Sequence, residues 1–173
     1  MTLFIGIDNG LNGAIVVINH NLEVMQKFPM PIVKGDKVNF DITAIINILK
    51  DIRDIQTLGE YLIIGLEKSH PRPIQGVRSA FTTGYGIGIF EGVLTSLGYG
   101  YEIINPSVWM KKIFEGSDIK DKKQSIMFCK RKWPNVDWRK TANCKNDFDG
   151  YTDACCIAFY MYLKEKKVVN YDK

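Results

Sequence analysis

The sequence predicts an α/β domain: one mixed, five-stranded sheet with helices on its faces. Two patterns carry this. The chain opens with three short apolar runs separated by turn residues, the pattern of an antiparallel meander. Beyond them, two further apolar runs alternate with stretches of helical periodicity, the pattern of β-α-β units. A length of 173 residues suits one core, since a second would leave each half thin. One domain over residues 1–166 is expected, with a frayed tail over 167–173.

The first strand is Leu3-Phe4-Ile5-Gly6-Ile7, ending at Asp8. Asn9-Gly10 and Asn12-Gly13 are turn signals, and Ala14 to Ile18 is a β-branched second strand. Asn19-His20-Asn21 turns the chain into a third, Glu23 to Phe28. Met30 to Asn39 is predicted as a loop. Asp41 is placed to cap a helix to about Ile55, whose Ile42, Ile45, Ile46 and Leu49 share a face. Tyr61 to Leu66 is a buried strand with Glu67 at its end. Val77 to Leu97 is a long helix despite Gly84, Gly86, Gly88 and Gly92. Each costs roughly 1 kcal/mol against Ala, so close approach of another backbone is expected there. Glu102 to Ile104 is the fifth strand. Short helices follow over Pro106–Phe114 and Asp121–Trp133, then a polar loop, then a last helix over Asp149–Lys164.

Apolar residues make up 46% of the chain and charged residues 24%, which excludes a fibrous or wholly disordered protein. No apolar stretch is long enough to span a membrane. The N-terminal run has no basic flank and is interrupted by Asp8, so no signal peptide is expected. Cys129, Cys144, Cys155 and Cys156 form no C-x-x-C, and they are expected as reduced thiols in a cytoplasmic protein. The net charge of +4 is unevenly placed. Lys111 to Lys145 holds 11 basic and 4 acidic residues, a local +7, which leaves −3 elsewhere. That segment suggests a surface meeting phosphates.

Asp8, Glu67, Asp149 and Asp153 stand out by context. Each alone fits a bland reading: a strand end meeting water, or a helix start favoured by the dipole. Asp149 and Asp153, four residues apart, share a helix face. If the strands of Asp8 and Glu67 are adjacent, all four carboxylates can face one crevice. Such a set repels itself unless cations neutralise it, and hard ions such as Mg²⁺ suit an all-oxygen site. Two such ions can activate a water and stabilise a leaving oxygen in phosphodiester hydrolysis.

Four motifs then resemble the RuvC-like Holliday junction resolvases, a ribonuclease H-like family, and in particular its small phage and viral branch. They are Gly6-Ile7-Asp8-Asn9-Gly10 with Gly13-Ala14; Glu67-Lys68 with Pro73, Gln75-Gly76-Val77, Ser79 and Gly84; Asn105-Pro106-Ser107 through Lys111, Gly116, Lys122 and Gln124; and Asp149-Gly150-Tyr151-Thr152-Asp153-Ala154. The resemblance covers about Leu3 to Leu163. It implies a ribonuclease H-like fold and a structure-selective endodeoxyribonuclease that resolves four-way DNA junctions by paired nicks, leaving 5′-phosphate ends. Asp8, Glu67, Asp149 and Asp153 would bind two Mg²⁺ ions, with Mn²⁺ expected to substitute, and Lys122 would join them in catalysis. The helix from 77 to 97 would form a homodimer interface.

Asn9 stands where the family usually has proline, with little consequence expected. Asp147 is a second aspartate near the Asp149 position. His70 takes the place of an aromatic residue after the strand-end glutamate; it is a candidate to stack on a base or to assist the leaving oxygen. Arg72, Arg78, Lys111, Lys120, Lys122 and Lys123 are the remaining DNA-binding candidates. Trp109 and Trp138 are read as core or interface residues. The competing functions are a broader nuclease acting on flaps, forks and other branched DNA, an actin-like ATP-binding domain that shares the first motif, and a DNA-binding module without catalysis. A substrate panel, ATP binding and an Asp8→Asn variant separate them.

Overall fold

The apolar run at the N-terminus becomes the central strand of the sheet. In the computed structural model, which describes residues 2–55, 61–69, 76–115 and 123–171, β1 spans Thr2–Asp8. It pairs antiparallel with β2, Ala14–Asn19, from Leu3↔Asn19 to Asp8↔Ala14. β2 pairs antiparallel with β3, Val24–Pro29. On its other side β1 runs parallel to β6, Tyr61–Glu67, with Gly6 opposite Gly65. β6 is parallel to β7, Tyr101–Ile104, with Glu67 opposite Ile104. The sheet order is therefore β3-β2-β1-β6-β7, the mixed five-stranded sheet expected. β4, Ile32–Lys34, and β5, Val38–Phe40, form a separate small hairpin.

Period-two alternation divides β1 between two cores. Leu3, Ile5 and Ile7 pack with Ile45, Leu49 and Ile52 of α1, Ile42–Ile55, and with Ile89, Phe90, Val93 and Leu94 of α2, Val77–Ser96. Phe4 faces the opposite core, built on α3, Pro106–Ile113, α4, Gln124–Lys132, and α5, Asp149–Tyr171. Asp41 caps α1 as expected, its Oδ1 accepting from the Ala44 N–H at 3.0 Å.

The glycine pair Gly6 and Gly65 decides how closely α5 lies on the sheet. A Cβ at Gly6 would stand 1.9 Å from the Ala154 carbonyl oxygen and 2.5 Å from the Ala158 nitrogen. One at Gly65 would meet the Met161 side chain at 2.8 Å. The helix backbone therefore rests on bare strand, which brings the start of α5 to the end of β1.

Two elements differ from expectation, and one expected contact is found at a single glycine. The predicted loop at 30–39 contains β4 and β5, because Ile32-Val33 and Val38 flank a Gly35-Asp36 turn; Pro29 and Pro31 concealed the pattern. α5 runs to Tyr171, past its predicted end at Lys164 and through most of the predicted tail. Residues 165–168 contain no helix breaker, and Lys166 Nζ sits 5.5 Å from the Tyr162 ring one turn back. The close approach expected at the α2 glycines occurs within this chain at Gly86, whose Cβ would stand 2.7 Å from the Asn9 carbonyl oxygen. Gly84, Gly88 and Gly92 have nothing within 4 Å of a would-be Cβ. Among the described residues, no helix is long and apolar enough to cross a membrane.

Gly6→Ala forces either the helix or the strand to move. Overpacking of a core costs about 1–3 kcal/mol, so urea unfolding should show a loss of about 3 kcal/mol in stability. An unchanged midpoint would mean that α5 does not rest on β1.

Candidate active site

A crevice of about 540 Å³ opens where β1 ends, lined by Asp8, the turn from Asn9 to Gly13, Ser69, three hydroxyl residues of α2 (Ser79, Thr82 and Thr83), and Asp149 and Asp153. Each carboxylate arrives on a different part of the frame. Asp8 ends β1, and its Oδ1 accepts from the Gly10 N–H at 3.2 Å. Glu67 ends β6, one strand away. Asp149 opens α5, and Asp153 lies one turn further along. The strand adjacency expected from the sequence is present: neighbouring parallel strands carry Asp8 and Glu67, and Asp8 shares the crevice with Asp149 and Asp153 of α5, while Glu67 is not among its lining residues.

The turn after Asp8 is held by a residue to which the sequence assigned no consequence. Asn9 is 2% exposed. Its Nδ2 donates to the Glu67 carbonyl at 2.9 Å, and its Oδ1 accepts from the Ser69 hydroxyl. A proline there has no amide side chain to make these bonds. Asn9 fastens the end of β1 to the end of β6 and so fixes the spacing of the two strand-end carboxylates.

The acidities report burial first and mutual repulsion second. Asp8 is pushed up to about 7, first by burial and then by the charges of Glu67 and Asp149, against the Gly10 hydrogen bond. Glu67 is also raised to about 7, chiefly by burial, with Asp153 adding to the shift and the Trp109 hydrogen bond opposing it. Asp153 reaches about 7 through burial, with Asp8 and Asp149 contributing and Ser125 opposing. Among the described residues, none of the four carboxylates has a basic ion-pair partner. Nor do any three acidic, cysteine or histidine side chains already stand close enough to ligate one ion. The carboxylates are near enough to raise one another's pKa without being gathered as the ligands of one ion. Asp147 is committed elsewhere: its Oδ2 pairs with Lys130 Nζ at 3.0 Å.

The basic candidates are scattered. Arg78 is exposed in the first turn of α2, and Lys123 is exposed at the start of α4. Lys111 does not line the carboxylate crevice. It lines a second groove of about 500 Å³ between α3 and α5, together with Lys112, Lys164 and Lys167. His70, Arg72, Lys120 and Lys122 lie outside the described residues. Much of the basic segment is engaged internally: Lys112 pairs with Glu115 and Arg139 with Asp137, while Lys132 and Lys140 lie over aromatic rings. Trp109 is the site neighbour that sequence reasoning missed. Its indole Nε1 donates to Glu67 Oε1 at 3.0 Å. A tryptophan five residues beyond a strand carries no sequence signal for that contact.

Sheet order, strand directions and helix placement define a ribonuclease H-like fold. Among solved structures it is similar to that of Thermus thermophilus RuvC in complex with a Holliday junction substrate, with 12% identity over 95% of this chain and 96% of that one and a TM-score of 0.59. A second T. thermophilus RuvC structure matches at 14% identity over the same shares, with a TM-score of 0.55. The fold is therefore RuvC-like. No protein-family model and no curated protein matches the sequence.

The raised acidities fix a pH dependence for the protein free of divalent ions. Asp8, Glu67 and Asp153 bind protons more tightly folded than unfolded. Between their ordinary range near 4 and about 7, the folded state therefore holds more protons, and stability falls as pH rises through that window. Melting temperature in chelator should decline from pH 5 to pH 8. Asp8→Asn, which keeps the acceptor for Gly10 but removes a charge, should raise the melting temperature at pH 8 by roughly 3 °C. A variant that melts lower at pH 8 than the parent would contradict the repulsion.

Proposed function

We propose that this chain is a divalent-cation-dependent endodeoxyribonuclease that resolves four-way DNA junctions as a homodimer, each subunit nicking one strand. One observation carries the reading: Asp8 of β1 and Asp149 and Asp153 of α5 line one crevice, Glu67 at the end of β6 is close enough to raise the pKa of Asp8, and none of the four has a basic ion-pair partner among the described residues. A phosphodiester cannot approach such a site unless positive charge is supplied there. The donor set is all oxygen, which fits Mg²⁺ or Mn²⁺. Asp8, Glu67, Asp149 and Asp153 would hold two such ions, whose chemistry is to activate a water for in-line attack and to stabilise the departing 3′ oxygen, leaving a 5′ phosphate. The chain's own part is placement. Asn9 spaces Asp8 from Glu67, and the N-terminus of α5 presents Asp149 and Asp153 from the opposite wall. Ser79, Thr82 and Thr83 line the third side, with the Thr82 and Thr83 hydroxyls donating to the Arg78 and Ser79 carbonyls.

Selectivity for a junction does not reside in this chemistry, since any phosphodiester fits it. It requires two sites at a fixed spacing. The exposed face of α2 suits a second copy of the chain. Val77 is 87% and Phe81 71% exposed, Phe81 stacks on Tyr85 with ring centroids 6.0 Å apart, and Gly84, Gly88 and Gly92 leave the helix surface bare. Similarity in fold to a RuvC bound to a Holliday junction substrate supports DNA as the partner. The motif around Glu67 favours the phage and viral branch. Free thiols at all four cysteines accord with a cytoplasmic setting. The unpaired part of the basic segment, with Lys111, Lys120, Lys122 and Lys123, would meet the DNA backbone, so binding should weaken steeply with salt.

Cleavage of a panel of four-way junctions, flaps, forks, linear duplex and RNA–DNA hybrid tests the reading. Four-way junctions should be cut at least tenfold faster than linear duplex, in Mg²⁺ and not in chelator. Equal rates on junction and duplex would overturn junction resolution, and comparable rates on flaps and forks would favour the broader branched-DNA enzyme. Asp8→Asn should bind junctions as the parent does but not cut them. Gly88→Arg should sediment as a monomer and retain divalent-ion binding; a dimer unchanged by this substitution would remove α2 from the interface.

A further inference from the structure

We infer that Trp109 is a positioning residue for the Glu67 carboxylate, fixing the plane in which its oxygens would meet a cation. The inference rests on the two-ion reading of the crevice. Its basis is the 3.0 Å hydrogen bond from the indole Nε1 to Glu67 Oε1 and the way the indole is held. α3 begins directly after β7, and Pro106 at its first position fixes the helical φ from the start. β7 is registered against β6 with Ile104 opposite Glu67, and the Lys68 N–H donates to the Ile104 carbonyl at 2.8 Å. The first turn of α3 therefore lies over the end of β6, and Trp109 points back at the carboxylate.

The ring has little freedom to leave. Trp109 is 3% exposed and packs edge-on against Phe114, with centroids 5.8 Å apart. Phe114 packs on Phe128, and Phe128 on Phe159 of α5. The indole is thereby braced against the helix that supplies Asp149 and Asp153. An indole N–H only donates, so the contact is a one-way clamp. It occupies one of the two lone pairs of Oε1 and sets the carboxylate plane, which biases ligation towards Oε2. Partners of this kind, which orient a ligating group through its other atom, typically change metal affinity 10–100-fold when removed. If the indole were only filling the core, a backbone carbonyl would satisfy its N–H equally well, as the Leu22 carbonyl does for Trp133 at 2.6 Å.

Trp109→Phe keeps an aromatic ring in the core and removes the donor. Calorimetric titration of the metal-free protein with Mn²⁺ should show affinity about tenfold weaker than the parent, and the Mg²⁺ needed for half-maximal cleavage should rise by a similar factor. Affinity equal to the parent's would overturn the inference. A parent protein that binds no Mn²⁺ would instead overturn the two-ion reading itself, so the two failures are told apart. The parent chain supplies a second measurement that needs no variant to fold. Its three tryptophans give three indole N–H resonances, and Mg²⁺ should move one of them while those of Trp133 and Trp138 stay in place. If none moves while Mg²⁺ binds, Trp109 does not touch a ligating carboxylate.

Discussion

The last helix lies directly on the backbone of the central strand, and the rest of the crevice depends on that closeness. A side chain at Gly6 would collide with the Ala154 carbonyl, so bare backbone at this point is a steric requirement. The consequence is geometric. Asp8 lies two residues beyond Gly6 on the strand, and Asp153 sits immediately before Ala154 on the helix. Contact between Gly6 and Ala154 therefore sets the separation of two carboxylates that lie far apart in sequence. Gly65 extends the same flat surface onto the neighbouring strand that ends in Glu67.

Such closeness is unfavourable in itself. Burial and mutual repulsion raise Asp8, Glu67 and Asp153 towards neutrality, and no lysine or arginine among the described residues offsets them. The fold holds the groups in place through bonds that do not relieve the charge. Asn9 links the two strand ends, the Gly10 N–H fixes Asp8, and Trp109 fixes Glu67. Ser125 lies beside Asp153 and opposes its upward pKa shift, and its hydroxyl is 3.0 Å from that of Thr152. In the proposed reading, a divalent cation would relieve this arrangement, which neutral donors hold without offsetting its charge.

The fold and the four carboxylates were legible because they rest on local signals. Apolar runs ended by Asp8 and Glu67 read as strand ends, and the spacing of Asp149 and Asp153 places both on one helical face. What was not legible depends on contacts between distant segments. Asn9 looked like a neutral replacement because its partners, Glu67 and Ser69, are about 60 residues away. Trp109 looked like core because its ring is core; only its nitrogen belongs to the site. The β4–β5 hairpin was hidden by prolines whose effect stops at its mouth. The charge pattern gives a total and not where each side chain goes. Lys111 to Lys145 reads as one basic surface, yet its side chains divide between internal ion pairs, aromatic faces and a groove beside α5 that is separate from the carboxylates.

The central claim is that this crevice is a divalent-cation site. The most direct measurement is a crystal structure of the chain grown with Mn²⁺, using anomalous scattering to locate the ion. Mn²⁺ should appear between β1 and the start of α5, with oxygens of Asp8 and at least one of Asp149 and Asp153 about 2 Å away, as hard divalent ions require. Full anomalous density elsewhere on the protein, with the crevice holding none at millimolar Mn²⁺, would contradict the account.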